Sequence, residues 1–323
     1  MITIPLKIVD SAIAKYKPEI DVFVKEAKTK VVALEKRERK NLNAAESDYL
    51  RKLIADFEAI VIAPPSGLLT FQKDLGLLPK RIAKKGKKGK KKKSLKDKII
   101  DAMGYTKRRG NFYPKYFQSI GIKACVYCNA QLTVIVDSID SKKNKTVKAK
   151  FQVDHYIAKS DYPCLSISLF NLYPVCASCN NSKSDKKIAF KLYENTIGAI
   201  KSEFEFILDK ASQAKFILSR NADDIKIDFR PPPTPIGYDD YNETFDIQGI
   251  YDTQKDLAEE LILKAEAYTP KYKASLIEAF NTIFTPSSLS NRIIIGNYVE
   301  KHEIHKRPMA KFTQDIAEQV GLI

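Results

Sequence analysis

The sequence predicts a mixed α+β protein, on three observations. Apolar residues recur at helical spacing near both ends of the chain. A short central stretch alternates as a strand does. Two Cys-x-x-Cys pairs bracket that stretch. At 323 residues the chain exceeds the size at which one core stops growing, so more than one lobe is expected. The expected division is a basic, helical region over 1–95, a central domain over 96–190 and a mixed, mainly helical region over 191–323.

The helical expectation starts at residues 10–40, where Val22, Val24, Ala27, Val31 and Leu34 recur among Lys and Glu. Asn43 and Glu46 have the form of a capping box for a second helix running to about Val61, and Pro64-Pro65-Ser66-Gly67 should stop it. A short helix is expected over Asp97 to Met103. Beyond the centre, residues 204–229 read as short strands broken by a turn at Asn221 to Asp224. Pro231-Pro232-Pro233 marks a boundary, and helices should follow over 253–268, 271–283 and 308–319.

Charge is uneven. The formal net charge is +16, yet residues 1–124 carry 30 Lys+Arg against 13 Asp+Glu, a balance of +17, and the remainder is nearly neutral. Such a field suits a polyanion, of which nucleic acid is the commonest, and it also serves solubility. KKGKKGKKKK, Lys84 to Lys93, has no apolar face to bury. It reads as a loop able to grip phosphates without reading sequence. In Tyr105 to Lys123, the basic Lys107, Arg108, Arg109, Lys115 and Lys123 interleave with Tyr105, Phe112, Tyr113, Tyr116 and Phe117. That mixture fits nucleic acid, and the aromatics equally fit packing against the neighbouring cysteines. Nowhere do eighteen apolar residues run together, so no membrane span is expected. The N-terminus lacks the features of a signal peptide, which leaves a cytoplasmic location as the expectation.

Five cysteines occur, and four form the pairs Cys125/Cys128 and Cys176/Cys179. Two residues between cysteines let both thiolates reach one ion from a tight turn, and two such turns make a closed tetrahedral zinc site. A closed site has no open position, so this zinc would be structural. Cys164 is left over and reads as a buried apolar residue. His302 and His305, three apart with no cysteine near them in sequence, read as surface or packing residues.

Between the pairs stands Asp154-His155, inside the strand-like AKFQVDHYI of Ala149 to Ile157. Asn171-Leu172 follows, and Cys179 is joined directly to Asn180, with Lys183 three residues on. This order resembles the HNH endonuclease family. The resemblance implies a small ββα-metal core braced by a four-cysteine zinc site, with helical flanks. It further implies hydrolysis of DNA phosphodiesters. His155 would be the general base, since an imidazole titrates near neutrality. Asp154 would be a ligand of a catalytic Mg²⁺ or Mn²⁺, and Asn171 would fix the loop around His155. Asn180 stands where the family often has His; an amide oxygen is a weaker ligand, so the cation would bind more loosely or be a different one. Lys183 and Lys187 have two readings, a phosphate grip or the plain solvation more usual for surface lysines. Flanking stretches, Asn111 to Gln131, Phe245 to Ala265 and His305 to Leu322, resemble HNH proteins of Septu and retron-associated phage defence. That likeness implies antiviral function beside an ATPase partner. Two other readings are a zinc-containing nucleic-acid-binding module without catalysis and a nuclease silent until a partner releases it.

Overall fold

A computed structural model describes residues 1–79, 93–139, 145–194, 202–281 and 287–323. The lysine-rich run lies outside the described residues except for Lys93. Helices and small two-stranded sheets together make the α+β class that the sequence predicts. No helix among the described residues is long and apolar enough to cross a membrane.

A two-residue strand β1 (Ile4–Pro5) leads into helices α1 (Leu6–Lys15) and α2 (Lys17–Glu38). The sequence suggests one helix here. The chain breaks at Tyr16 because Pro18, with no N–H to donate, suits only the first turn of a new helix. The buried stripe of α2 is Ile20, Phe23, Val24, Ala27, Val31 and Leu34; Val22 was expected in it and is 61% exposed on the far side. Helix α3 (Ala44–Ala55) begins at the expected capping box, in which Asn43 accepts from the Glu46 amide and Glu46 from the Asn43 amide. After α4 (Phe57–Ile62) the proline pair ends one helix and starts another: Pro65 is the first residue of α5 (Pro65–Leu75). Helices α6 (Leu95–Met103), α7 (Tyr105–Arg109) and α8 (Phe112–Ile120) lead to the first cysteine pair. The side chains of Tyr105, Phe112, Tyr113, Tyr116 and Phe117 are all buried, so this aromatic set packs the core. Arg108 is buried with them and donates to the carbonyls of Met103 and Phe23, while Lys107, Arg109, Lys115 and Lys123 stay exposed.

The centre holds two antiparallel hairpins. Strands β2 (Ile135–Ile139) and β3 (Lys145–Ala149) form one. Strands β4 (Gln152–His155) and β5 (Leu172–Val175) form the other, with Asp154 opposite Tyr173 and His155 opposite Leu172. Helix α9 (Ala177–Lys183) follows β5 at once, giving a strand–strand–helix unit. A further strand β6 (Tyr193–Glu194) pairs in parallel with β1.

In the last third, β7 (Glu205–Leu208) and β8 (Ile227–Arg230) pair antiparallel, as expected of strands in 204–229. The stretch between them is a helix, α10 (Lys210–Ser219), and not the further strand its apolar run suggests. Asp209 caps it by accepting from the Ser212 amide, and Leu218 is left 87% exposed. Helices α11 (Tyr241–Phe245), α12 (Ile247–Asp252), α13 (Lys255–Ala267), α14 (Pro270–Ala279), α15 (Ser287–Ile295) and α16 (Ala310–Gln319) complete the chain. Of these, α13, α14 and α16 match the three expected helices. Helix α16 lies along β7, where Asp315 and Gln319 accept from the Phe206 and Leu208 amides. Buried residues from all three regions of the chain join one hydrophobic cluster.

Candidate metal centre and the adjoining cleft

The four paired cysteines converge. Cys125 and Cys128 sit on a turn closed by the Asn129 amide donating to the Cys125 carbonyl at 2.8 Å, and by a bridge between Ala124 and Leu132. Asn129 takes φ of 54°, the left-handed conformation that Asn tolerates better than most residues. Cys176 is the N-cap of α9 and Cys179 lies one turn in. All four Sγ atoms are buried and lie within 4.8 Å of one another, with Cys128 and Cys176 at 4.0 Å. A tetrahedron with Zn–S of about 2.3 Å has edges of roughly 3.8 Å, so the set can hold a metal such as zinc. Amides of Ala130, Cys176 and Cys179 point at Sγ of Cys128, Cys125 and Cys176 at 3.4, 3.3 and 3.5 Å, the donors that thiolates need. Neighbouring thiols push Cys128 and Cys176 down, whereas burial pushes Cys125 up and bonds from its neighbours push Cys179 up. Four thiolates this close need a cation between them. Cys164 is buried elsewhere, and burial pushes its thiol up to about 11.

The C-terminal third braces this knot. Tyr241 and Tyr251 donate to the carbonyls of Tyr127 and Cys128 at 2.6 and 2.9 Å. Asn129 donates to the Ile304 carbonyl at 2.9 Å and accepts from the Lys311 amide at 3.0 Å. His305 is buried, with Nε2 donating to the Ile2 carbonyl, and His302 is exposed; both are the packing and surface residues expected.

Beside the knot, the β4–β5 hairpin presents the central residues. Asn171 is fully buried. Its Oδ1 accepts from the Ile157 amide at 2.7 Å, and its Nδ2 donates to the carbonyls of Ile157 and Leu165 at 3.1 Å each. This ties down the loop carrying Ser166, whose carbonyl lies 3.0 Å from Nε2 of His155. A carbonyl only accepts, so Nε2 carries the proton and Nδ1 keeps its lone pair. Burial, with the Lys159 ammonium nearby, holds the His155 imidazole well below the usual histidine range, so it is neutral at pH 7. Tyr105 packs on it at 4.7 Å between ring centroids.

Asp154 is 6% exposed. Its Oδ2 receives the Tyr127 hydroxyl at 2.7 Å and the Lys183 ammonium at 3.1 Å, while Oδ1 lies 3.5 Å from the same ammonium. Burial raises this carboxyl and Lys183 opposes the rise. Lys183 was expected in solvent. It is instead fully buried, because α9 carries it under the hairpin, where it also donates to the His155 carbonyl at 2.9 Å. Lys187 is exposed, as expected. Asn180 is half-buried, with Nδ2 donating to Gln152 at 2.5 Å.

Asp154, His155 and Asn180 border two adjoining clefts. The larger, of ≈ 360 Å³, is lined by Tyr105, Arg109, Asp154, Lys159, Asn180 and Asp185 among others. The smaller, of ≈ 210 Å³, adds Lys96 and His155, and shares Asp154, Lys159 and Asp185. Sequence reasoning missed Tyr127, Lys159 and Asp185 as part of this site. Tyr127 could have been suspected from its place between paired cysteines, and nothing local marks the other two. Among the described residues, the four cysteines are the group of three or more His, Cys, Asp and Glu ligand atoms that converges. A cation in the cleft would have one buried carboxylate and one amide. That set fits a hard ion such as Mg²⁺, which keeps most of its waters and takes one or two carboxylates with substrate phosphate. No family model, no curated protein and no solved structure matches this chain.

Proposed function

We propose that this chain is a metal-dependent endonuclease of the HNH type, hydrolysing phosphodiester bonds of DNA, with the four-cysteine zinc knot as its structural brace. One observation carries the reading: a neutral, buried imidazole whose Nε2 is committed to a carbonyl leaves Nδ1 as a lone-pair acceptor, beside a cleft with Asp154 and Arg109 in its wall. His155 takes a proton from water through Nδ1. Asp154 and Asn180 would hold a divalent cation, which would supply charge neutralisation at the phosphate and the departing oxygen. Lys183 favours the ionised form of Asp154 against the effect of its burial. Arg109 offers two N–H groups to phosphate oxygens at the cleft wall.

DNA as substrate is supported by the +17 balance of residues 1–124. Phage defence beside an ATPase partner rests on the sequence resemblance. The test is supercoiled plasmid incubated with zinc-loaded protein. Addition of Mg²⁺ or Mn²⁺ is expected to nick it, and Asp154→Asn to leave it closed. Plasmid that stays supercoiled with either cation contradicts the proposal.

A further inference from the structure

Lys159 has no role in the hydrolytic scheme above, yet it occupies its most sensitive position. Its Nζ lies 3.4 Å from Nδ1 of His155, the ring atom that must accept a proton. The same ammonium sits 5.3 Å from the centroid of the Tyr105 ring. Among the described residues no carboxylate forms an ion pair with it, although it is half-buried. It lines both clefts, and Arg109, also without an ion pair among the described residues, lines the larger one.

From this geometry we propose that Lys159 is a positioning residue, which occupies Nδ1 of His155 until a phosphodiester enters the cleft and then turns to that phosphate, freeing the base. The inference rests on the hydrolytic reading of the site and adds to it how substrate arrival and base release are coupled.

Magnitudes decide the direction of the exchange. A contact of 3.4 Å is long for an N–H···N bond and correspondingly weak. The imidazole accepts as a neutral group, whereas a phosphate adds the attraction of an opposite charge to the hydrogen bond. The lysine stem is flexible, so a change of partner needs no backbone movement. Burial pushes the Lys159 ammonium below its ordinary range, and the more distant Asp154 and Asp185 offset that only in part. A phosphate in direct contact would add counter-charge. The cation pair Lys159 and Arg109 would then hold one phosphate from two sides, with the freed Nδ1 facing water.

Nitrogen-15 spectra of the imidazoles read this directly, because the chain has only three histidines. The probe is a single-stranded thymidine tetranucleotide, added to zinc-loaded protein with no other divalent cation, so that no turnover occurs. The His155 Nδ1 resonance is expected to move downfield, toward a free imine nitrogen, as the tetranucleotide saturates the protein. In Lys159→Met the resonance should already stand at the free position, and tetranucleotide affinity should fall by about tenfold. Lys159→Arg should restore affinity to within about threefold, which separates loss of charge from loss of fold. An Nδ1 resonance that does not move at saturation overturns the inference, as does a Lys159→Met spectrum identical to wild type. Cleavage is not read in this experiment. A protein that cuts DNA with an unmoved resonance keeps hydrolysis and loses the lysine exchange. One that shows the shift but never cuts keeps the exchange and loses hydrolysis.

Discussion

Lys183 offers the sharpest quantitative test of how the cleft is built. Its ammonium is fully buried between the Asp154 carboxylate, at 3.1 Å, and the His155 carbonyl, at 2.9 Å. Lys183→Met keeps the stem volume and deletes the charge. Removing one partner of a buried ion pair costs about 3–5 kcal/mol, and the orphaned carbonyl adds about 1–3 kcal/mol. The sum is a large share of the roughly 5–15 kcal/mol that keeps a domain folded. Adding Asp154→Asn removes the stranded charge while the amide still accepts from Tyr127. The double variant should therefore recover about 2–3 kcal/mol of the loss. Urea unfolding followed by far-ultraviolet circular dichroism is the assay, since the chain has no Trp to report by fluorescence. The pH dependence has a definite sign. Burial already raises Asp154, and without Lys183 the folded carboxyl holds its proton to higher pH than the unfolded one does. The penalty in Lys183→Met is then smallest in acid and grows as pH rises. A Lys183→Met protein within about 1 kcal/mol of wild type, or a double variant no more stable than the single one, refutes this account of the pair.

Two other consequences are independent of the cleft. Cys176→Ser should lower zinc from one ion per chain toward none and unfold the central hairpin, because structural zinc contributes on the order of 10 kcal/mol; metal analysis showing full zinc in that variant contradicts the site. His305 is buried with its pKa lowered from 6.5 to about 4, so between those values the unfolded chain binds a proton the folded one refuses. Stability should fall on acidification across that window by about 3 kcal/mol. His305→Gln keeps a donor for the Ile2 carbonyl and should remove that slope; equal acid slopes for the two proteins contradict it.

The four-cysteine knot and the first helix cap were legible because their signals are local. A two-residue spacing fixes which cysteines can share a turn, and a side-chain cap such as Asn43 with Glu46 needs only four consecutive residues. What escaped depends on distant partners. Lys183 looks solvated until α9 is known to run under the hairpin toward Asp154 and the His155 carbonyl. Lys159 gains meaning only once the loop after β4 folds back on the imidazole. The knot's support by Tyr241, Tyr251 and Lys311 joins residues more than a hundred positions away, and no spacing announces it. The misread helix α10 has the opposite cause: Ile217 and Leu218 suggest a strand, yet both stay exposed on a helix started by the Asp209 cap. Aromatics among cations over Tyr105 to Lys123 allowed two readings, and burial of every ring assigns them to packing.

If His155 is the base of a phosphodiester hydrolysis, plasmid cleavage depends on its imidazole. The decisive measurement is the cutting rate of His155→Ala, taken on protein whose zinc content and circular dichroism match wild type. That rate should be lower by about 10²- to 10⁴-fold with Mg²⁺ or Mn²⁺ present. Cutting by that variant at the wild-type rate would contradict it.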